Sequence, residues 1–378
     1  MAIGIFPVQS EADKKAFYKF AFNVYRKDPN WVPPLWPQRK EYLDKKAAFF
    51  SYGEGDFWMA KDGKDIVGTI GTAVNPSRNR DMGWKAGTFG FFEVMPDRYD
   101  AAKLMWDFAS DWTRKRGLEE LQGPYSFSAD GDPGFLVEGF QTQPSIMMGH
   151  NPAYYPEYAQ HYGFEKLFEG LAYRYDLEKI GYDVENAPDI LKRIAARTRQ
   201  RHGQASIRSP KMKNWDLEVD KLHAVYNKSL SVLPEFSPIE LAEFRAQALG
   251  LKDVMDPELV FIAEVDGKPV GFALGLPVLT EALKYANGLQ HPWDTIRFAM
   301  SQKKIKGVSF KILAIDPDYW GYGLEAVLFL EVGKAVIRKG YTWIDASLTN
   351  ELNPQTNKLA TRLGAYVYRR YREYRIQL

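Results

Sequence analysis

The chain has 378 residues, which is long for one ordinary core and suits two domains. Its hydrophobic content of 45%, charged content of 26% and formal net charge of +2 are typical of a soluble globular protein and argue against a nucleic acid as the main partner. The absence of cysteine excludes disulfides, thiolate nucleophiles and cysteine zinc sites, and the five histidines are not spaced as paired metal ligands, so we predict no metal.

The N-terminal segment lacks the basic stretch and long apolar run of a signal peptide. No stretch approaches the roughly 20 apolar residues that are needed to span a bilayer. Both features favour a cytoplasmic protein without a membrane span. The aromatic share of 15% is high, and we expect most of these rings in the core and a minority in a ligand cleft.

In chain order, the first half opens with a strand and a long helix and continues with a hairpin, FWMAKDGKDIVGTIGT, which begins at Phe57. Its Asp-Gly turn lies between two alternating apolar runs, which is a strong hairpin signal. A strand over 88–94 ends before Pro96, and an amphipathic helix with 3.6-residue periodicity follows it. A short helix that ends at Gly163 and a long final strand complete this half.

The second half repeats the same order of elements. The hairpin FIAEVDGKPVGFALGL begins at Phe261, a strand over 308–315 ends before Pro317, and the last short helix ends at Gly364. The order survives unequal insertions, a loop over 123–149 in the first half and a helix over 293–302 in the second, which indicates two copies of one fold.

Each copy is predicted to be a mixed sheet with helices packed on it, which makes the fold class α/β. We place the domains at residues 1–180 and 186–378. Glycine, asparagine and proline interrupt the periodicity over 178–188, so we expect the join between the two copies there.

Residues 311–325, KILAIDPDYWGYGLE, give the clearest indication of function, because a strand runs into a glycine turn and then into a helix. Unpaired amides and the helix dipole at such a turn favour an anion. Together with a strand over 341–347 and a helix over 353–365, this order resembles the acyl-CoA-binding core of the GNAT acetyltransferase superfamily. The resemblance to a tandem GNAT protein extends along nearly the whole chain.

The resemblance implies an enzyme that transfers an acyl group, in particular acetyl from acetyl-CoA, to an amine of a small molecule or peptide. It implies that strand amides hold the pantetheine arm, that the glycine turn meets the pyrophosphate and that an asparagine lies near the thioester. The cofactor-binding residues implied in this way are Ala314, Ile315, Trp320, Gly321, Tyr322, Gly323, Leu324, Glu325 and Asn353.

Three residues of the second copy depart from the family pattern. Trp320 stands where the family has Arg or Gln, and the Glu325 carboxylate opposes an anion through charge repulsion. Ala360 occupies the position of a tyrosine that often acts as general acid, so no catalytic acid or base is assigned. The alternative is that the glycines only turn the chain and that Asn353 only caps a helix.

The first copy lacks a glycine at the equivalent turn, and Asp97 and Asp100 lie there instead. We therefore predict a structural or substrate-shaping role for this copy. The loop over 123–149 and the helix after it combine acidic and aromatic groups, and long loops on a rigid scaffold often carry recognition. The candidate substrate-binding residues are Asp130, Asp132, Glu138, Tyr154, Tyr155 and Glu157. The alternative is that this loop covers the interface between the two copies.

Two other functions stay open at this point. The departures from the family pattern allow a non-catalytic protein that holds a small or lipid-like ligand on a degenerate tandem GNAT scaffold. A transferase that takes an aminoacyl group from charged tRNA is disfavoured, because RNA contact usually requires a basic surface. The basic stretch over 193–201 is predicted to be a solvated helix face.

Overall fold

A computed structural model describes residues 3–127, 134–201, 205–232, 238–252 and 255–378. The strands in these ranges are β1 (Gly4–Pro7), β2 (Glu54–Asp62), β3 (Asp65–Val74), β4 (Ala86–Val94), β5 (Glu120–Gly123), β6 (Phe135–Glu138), β7 (Glu165–Asp176), β8 (Ala205–Arg208), β9 (Val260–Val265), β10 (Lys268–Pro277), β11 (Gly307–Ile315), β12 (Trp343–Asn350) and β13 (Tyr366–Gln377). The α-helices are α1 (Glu11–Val24), α2 (Trp36–Leu43), α3 (Pro76–Met82), α4 (Tyr99–Arg114), α5 (Tyr154–Tyr162), α6 (Asp189–Arg201), α7 (Trp215–Leu230), α8 (Leu241–Lys252), α9 (Thr280–Leu283), α10 (Pro292–Ser301), α11 (Leu324–Arg338) and α12 (Pro354–Arg362).

The strands form one continuous mixed sheet. Their hydrogen-bonded order is β1-β2-β3-β4-β5-β13-β7-β12-β11-β10-β9-β8, and β6 pairs with β13 beside this path. The pairs β4–β5 and β11–β12 are parallel, and the other pairs are antiparallel. The predicted α/β class with a mixed sheet is confirmed.

Both predicted hairpins are present, as β2–β3 and β9–β10. Their turns place Gly63 at φ 61° and Gly267 at φ 73°, in the left-handed region that favours glycine. The strand, helix, short helix and long strand that follow each hairpin also occur in both halves. The duplicated order that the sequence predicts is therefore confirmed.

The two halves exchange their last strands. β13 ends the second half but lies between β5 and β7 of the first half, and β7 in turn pairs with β12 of the second half. The buried Glu169 of β7 holds this seam through Arg370, at 3.0 Å, and Arg372, at 2.7 Å. The predicted division at 180 and 186 follows chain order and did not anticipate this exchange.

Equivalent helices, α4 and α11, pack against the cores of the two halves. In α4, the buried residues Ala101, Met105 and Ala109 recur every four positions, and the Trp106 ring stacks on Phe92 with the ring centroids 4.8 Å apart. In α11, Leu324 and Leu328 are buried at the same spacing in the core of the second half. This packing fixes where each helix begins, and so where its free N-terminal amides lie.

Candidate functional site

A cavity opens where two strands of the second half diverge. β11 and β12 pair from Gly307 with Trp343 to Phe310 with Ala346, and beyond that point no pairing joins them in the described chain. A cavity of about 410 Å³ lies between the separated ends and reaches α7, α11 and α12. Most of the residues around it are aliphatic or aromatic, among them Leu191, Phe310, Phe329, Ile344, Leu348 and Leu359.

Lys311 is the only residue with a charged side chain among those found to line this cavity in the described ranges. It is a bulged residue, because Ile312 pairs with Leu274 and Phe310 with Gly275, which leaves Lys311 without an opposite residue. Its Nζ donates to the carbonyl oxygen of Ile146 at 2.6 Å. Burial lowers the pKa of Lys311 below the usual 10.5, and the Asp345 carboxylate opposes this shift.

Asp345 is fully buried beside Lys311 and accepts two hydrogen bonds. Ser309 Oγ donates to one of its oxygens, and the Tyr368 hydroxyl donates to the other at 3.1 Å. Through Lys311, this polar cluster adjoins the mainly apolar cavity. The sequence did not lead us to it, although a lysine inside the apolar strand over 307–315 was a visible signal.

The glycine turn precedes α11 as the sequence predicts. Gly321 has φ 81° and Gly323, the N-cap of α11, has φ 80°. A Cβ on Gly323 would lie 2.5 Å from Thr198 Oγ1 and 2.6 Å from Ile194 Cγ2. Backbone conformation and lack of space therefore both require glycine at position 323.

The turn leaves several amides open. In the described part of the chain, the N–H groups of Gly321, Gly323, Leu324 and Glu325 have no hydrogen-bond acceptor. The Trp320 indole is 53% exposed and is tied back to the Ile315 carbonyl by a 3.1 Å hydrogen bond from Nε1. Open amides at the start of a 15-residue helix are the arrangement that a phosphate group requires.

The charges around the turn are partly compensated. Lys228 of α7 pairs with Asp316 at 2.8 Å and also with Asp318. Thr198 of α6 donates to the Tyr322 carbonyl at 2.7 Å, which brings the basic helix face predicted over 193–201 next to the turn. Glu325 remains in the first turn of α11, where a carboxylate competes with any bound anion.

Two of the predicted cofactor contacts are already engaged within the protein. The Ile315 amide donates to Ser229 Oγ at 2.9 Å, so in this structure it does not face a pantetheine arm. Amides of successive strand residues point to opposite sides, and the Ala314 amide therefore faces β10, where Ala314 pairs with Phe272. By the same alternation the Leu313 amide points to the open edge of β11.

Asn353 caps a helix and also lies at the cavity. Its side chain accepts from the Thr356 amide at 3.2 Å and so caps α12, and the residue also lines the cavity. Ala360 of the same helix lines the cavity as well. The alanine that replaces the tyrosine of the family pattern therefore lies in the wall of the cavity.

The candidate substrate tyrosines lie in the first half. Tyr154 donates to the Val94 carbonyl at 2.8 Å, and the Tyr155 hydroxyl accepts from the Val94 amide at 2.8 Å. Tyr155 is fully buried, and its burial raises the pKa of its hydroxyl. These two rings close the end of β4 and are not brought to the cavity of the second half.

The acidic substrate candidates are also not brought together at the cavity. Glu138 pairs with Arg370 at 3.2 Å, and Glu157 is exposed in the first turn of α5. Asp130 and Asp132 lie outside the described residues. Their proposed contact with a substrate stays a prediction.

In the first half, the space between the equivalent strands β4 and β5 is occupied by the residues that follow β5. β4 and β5 pair only as far as Thr88 with Gln122. Beyond that point, the Tyr125 amide donates to the Phe89 carbonyl at 2.8 Å, and a Cβ on Gly90 would lie 1.5 Å from the Tyr125 carbonyl oxygen. The first copy therefore has a closed sheet where the second has a cavity.

A loop of the first half reaches the site of the second. Fully buried Arg369 of β13 donates to the Gly149 carbonyl at 3.0 Å and also to Thr142. Thr280 donates to the Pro144 carbonyl at 2.7 Å, and Lys311 donates to Ile146 of the same loop. The loop therefore covers the interface between the copies and also contacts the one lysine of the cavity.

Comparison with known sequences gives two full-length relatives. The chain is 28% identical over 383 residues to the bacterial ceramide synthase of Caulobacter vibrioides, with 98% of this chain and 97% of that protein covered. It is 27% identical over 372 residues to protein YghO of Escherichia coli, with 97% and 93% covered. No protein-family model matches the chain.

Solved structures resemble the chain over its whole length. A tandem GNAT protein from the clavulanic acid biosynthesis pathway superposes with a TM-score of 0.60 and 12% identity, with 100% of this chain and 98% of that one covered. A GCN5-related N-acetyltransferase from Sphaerobacter thermophilus gives a TM-score of 0.54 and 12% identity, with 99% and 95% covered. The chain has the tandem GNAT fold.

Proposed function

We propose that the chain is an acyl-CoA-dependent N-acyltransferase that moves a long acyl chain to the amine of an amphiphilic amino alcohol. The observation that carries this proposal is the apolar cavity of about 410 Å³ with Lys311 in its wall. The name of the Caulobacter relative, a bacterial ceramide synthase, supports it, because a ceramide is the amide of a fatty acid and a long-chain amino alcohol.

The elements around the cavity suit an acyl thioester of CoA. The open amides of Gly323 and Leu324 would bind the pyrophosphate at the start of α11. The pantetheine arm would lie between the separated ends of β11 and β12, where the Leu313 amide could donate to the thioester oxygen as charge develops on it. The acyl chain would fill the apolar cavity.

Lys311 is the group that we assign to proton transfer. The acceptor amine attacks the thioester carbonyl, the carbon–sulfur bond breaks, and the nitrogen loses one proton as the amide forms. Neutral Lys311 takes this proton and returns it to the departing thiolate, so that the enzyme ends the cycle unchanged. Its lowered pKa makes the neutral amine accessible nearer to neutral pH than for an exposed lysine.

The lining favours a long acyl chain over the acetyl group that the sequence first suggested. Burial of each methylene contributes about 0.8 kcal/mol, which corresponds to about fourfold in affinity. An acetyl group would leave most of the cavity empty. We therefore expect affinity to rise steeply with the acyl length of the CoA thioester until the cavity is filled.

The test is a transfer assay with palmitoyl-CoA and the long-chain amino alcohol sphinganine. A thiol reagent can report released CoA without background from the protein, because the chain contains no cysteine. Mass spectrometry of the amide product identifies the bond that forms. Acetyl-CoA with the same amine is the matched comparison, and faster turnover with acetyl-CoA than with palmitoyl-CoA would overturn the long-chain assignment.

A second candidate is a protein that holds a lipid-like ligand without transfer. The observations that favour it are the Glu325 carboxylate beside the open amides and Ala360 in place of a family tyrosine. Palmitoyl-CoA that binds saturably but releases no thiol with any amine acceptor would support this candidate against transfer.

A further inference from the structure

Helix α10 exposes an apolar stripe to solvent. Trp293, Ile296 and Met300 are 54%, 62% and 68% exposed, and their spacing of three, four and seven residues places them on one face. Asp294 and Ser301 are buried and lie on the face that packs against the protein. The stripe is thus an outward face of a helix that is anchored from its other side.

The orientation of the stripe is set by local contacts. The His291 ring stacks on Trp293 with the ring centroids 4.5 Å apart, and the His291 amide donates to the Asp294 carboxylate at 3.1 Å. Upstream of α10, a Cβ on Gly288 would lie 2.0 Å from the Tyr18 hydroxyl oxygen, so this segment packs tightly on the first half. The apolar stripe therefore has a rigid support.

This helix belongs to an addition that the sheet does not need. The connection from β10 to β11 spans residues 278–306, which is 306 − 278 + 1 = 29 residues. The equivalent connection from β3 to β4 spans residues 75–85, which is 85 − 75 + 1 = 11 residues. In each copy the connection joins equivalent strands that are neighbours in the sheet. The additional residues in the second copy are therefore not needed to connect these strands.

The same segment carries a surplus of positive charge. It carries five basic residues and two acidic ones, a surplus of 5 − 2 = +3, whereas the whole chain has +2. Asp294 is buried, and Glu281 accepts from the backbone amide of Gly307 at 3.2 Å, so both acids are engaged within the protein. The basic residues are Lys284, Arg297, Lys303, Lys304 and Lys306.

The geometry points to α10 as a docking element for an anionic lipid surface. A helix that carries a tryptophan and aliphatic side chains on its outer face, flanked by lysines, lies in the plane of a membrane interface with its apolar face buried. The adjacent lysines supply attraction to anionic headgroups. This proposal rests on the surface alone and does not depend on the proposed function.

A lipid surface fits better than a second copy of the chain. Three side chains expose only a few hundred Å², well below the roughly 800 Å² per partner that a stable protein–protein interface buries. Repulsion between two facing clusters of lysines would further oppose self-association. A bilayer places no such requirement on area, because each inserted side chain contributes separately.

The test is co-sedimentation of the full chain with vesicles of phosphatidylcholine alone and of phosphatidylcholine mixed with phosphatidylglycerol. We expect binding to the anionic vesicles at low salt, with loss at high salt because ions screen exposed charges. The double variant Ile296→Asp/Met300→Asp should reduce binding about tenfold or more. Replacing Lys303, Lys304 and Lys306 by glutamine should do the same.

A matched control carries the same change on another surface. Leu217 of α7 and Leu249 of α8 are 62% and 64% exposed, and Leu217→Asp/Leu249→Asp should leave vesicle binding unchanged. Thermal unfolding of each variant checks that the fold persists. Equal binding by the α10 variant and the wild type would overturn the proposal, as would no binding by the wild type, or a dimer in gel filtration that the α10 variant abolishes.

Discussion

Lys311 is the residue on which the proposed chemistry depends, and its burial sets the pH at which it acts. A charged amine that is buried in the protein loses hydration, and the Asp345 carboxylate opposes the resulting fall in the pKa of Lys311. The hydrogen bond to the Ile146 carbonyl fixes the amine without supplying a negative charge. The neutral form is therefore favoured at lower pH than for a solvated lysine.

The first prediction concerns Lys311→Met. The variant keeps an unbranched side chain that is one atom shorter and carries no amine to accept the proton, so we expect transfer to fall by about 10²- to 10⁴-fold with binding of palmitoyl-CoA retained. In the wild type, the rate should rise with pH as Lys311 loses its proton, and the variant should keep only the rise that comes from deprotonation of the acceptor amine. Rates of thiol release over a pH series give the measurement.

Lys311→Arg is the matched control for charge, because arginine keeps the cation but does not lose its proton in this range. It should be as impaired as the methionine variant. A methionine variant that keeps the wild-type rate and pH profile would show that Lys311 is not the base, and proton transfer would then have to be assigned elsewhere.

The second prediction concerns Glu373 of β13, where burial raises the pKa from 4.5 to about 7 against the opposing charge of Arg78. The folded state therefore holds its proton more tightly than the unfolded state, and stability falls as pH rises from about 4.5 to 7. Glu373→Gln removes this loss and should raise the free energy of unfolding by about 1–3 kcal/mol above pH 7.

Denaturant unfolding at pH 5 and pH 8 measures this effect. The gain from Glu373→Gln should be several-fold smaller at the lower pH, because the wild-type carboxyl is then still protonated in the fold. Glu165→Gln, at an exposed position of the neighbouring strand β7, should change stability little at either pH. A destabilised Glu373→Gln variant at pH 8 would mean that the pairing with Arg78 outweighs the cost of burial.

At the scale of single elements, the third prediction concerns α12, which forms one wall of the cavity. Ala360→Phe would fill part of the cavity, a space that two or three methylenes of a long acyl chain would otherwise occupy, at about 0.8 kcal/mol each. We expect affinity for palmitoyl-CoA to fall roughly 15- to 60-fold. Affinity for acetyl-CoA should change little, and isothermal titration of both thioesters measures the contrast.

Lys358→Phe adds the same ring to α12 at an exposed position that is not among the residues found to line the cavity. It should bind both thioesters like the wild type. If both thioesters lost affinity equally in the Ala360→Phe variant, the substitution would have disturbed the helix itself. It would then give no evidence that the cavity holds the acyl chain.

The elements that the sequence predicted well are those that local signals determine. Asp-Gly turns between alternating apolar runs identified both hairpins, and the spacing of glycines identified the turn before α11. The engagement of the Ile315 amide by Ser229 could not be predicted in this way, because the two residues are 86 positions apart. The burial of Lys311 depends likewise on the loop around Ile146, which is 165 positions away.

At the scale of the whole molecule, the exchange of last strands makes the two copies interdependent. The buried rings of Tyr371 and Tyr374 are on β13, yet the Tyr374 ring packs with Phe135 and Phe164 in the core of the first half. Periodicity and turn signals predict that a long strand follows the short helix that ends at Gly364. They do not predict its neighbours, because the pairing of distant strands is a non-local property.

The last prediction follows from this exchange. A fragment of residues 1–180 lacks β13, so the edges of β5 and β7 are exposed and Phe135 loses its contact with Tyr374. We therefore expect the fragment to be unfolded or aggregated. Because β7 and β13 are antiparallel and Arg174 pairs with Tyr366, an Asn-Gly pair inserted between residues 176 and 366 forms, together with residues 175 and 176, a four-residue hairpin loop. The chimera of 1–176 and 366–378 should therefore fold.

Circular dichroism and denaturant unfolding compare the fragment with the chimera. The chimera should unfold cooperatively, since it contains β1 to β7 together with the strand that completes their sheet. A chimera in which Tyr371 and Tyr374 are both replaced by serine keeps the added strand but loses its buried rings, and it should resemble the fragment. If the fragment alone unfolds as cooperatively as the chimera, the first half does not need the exchanged strand, and each copy is an independent folding unit.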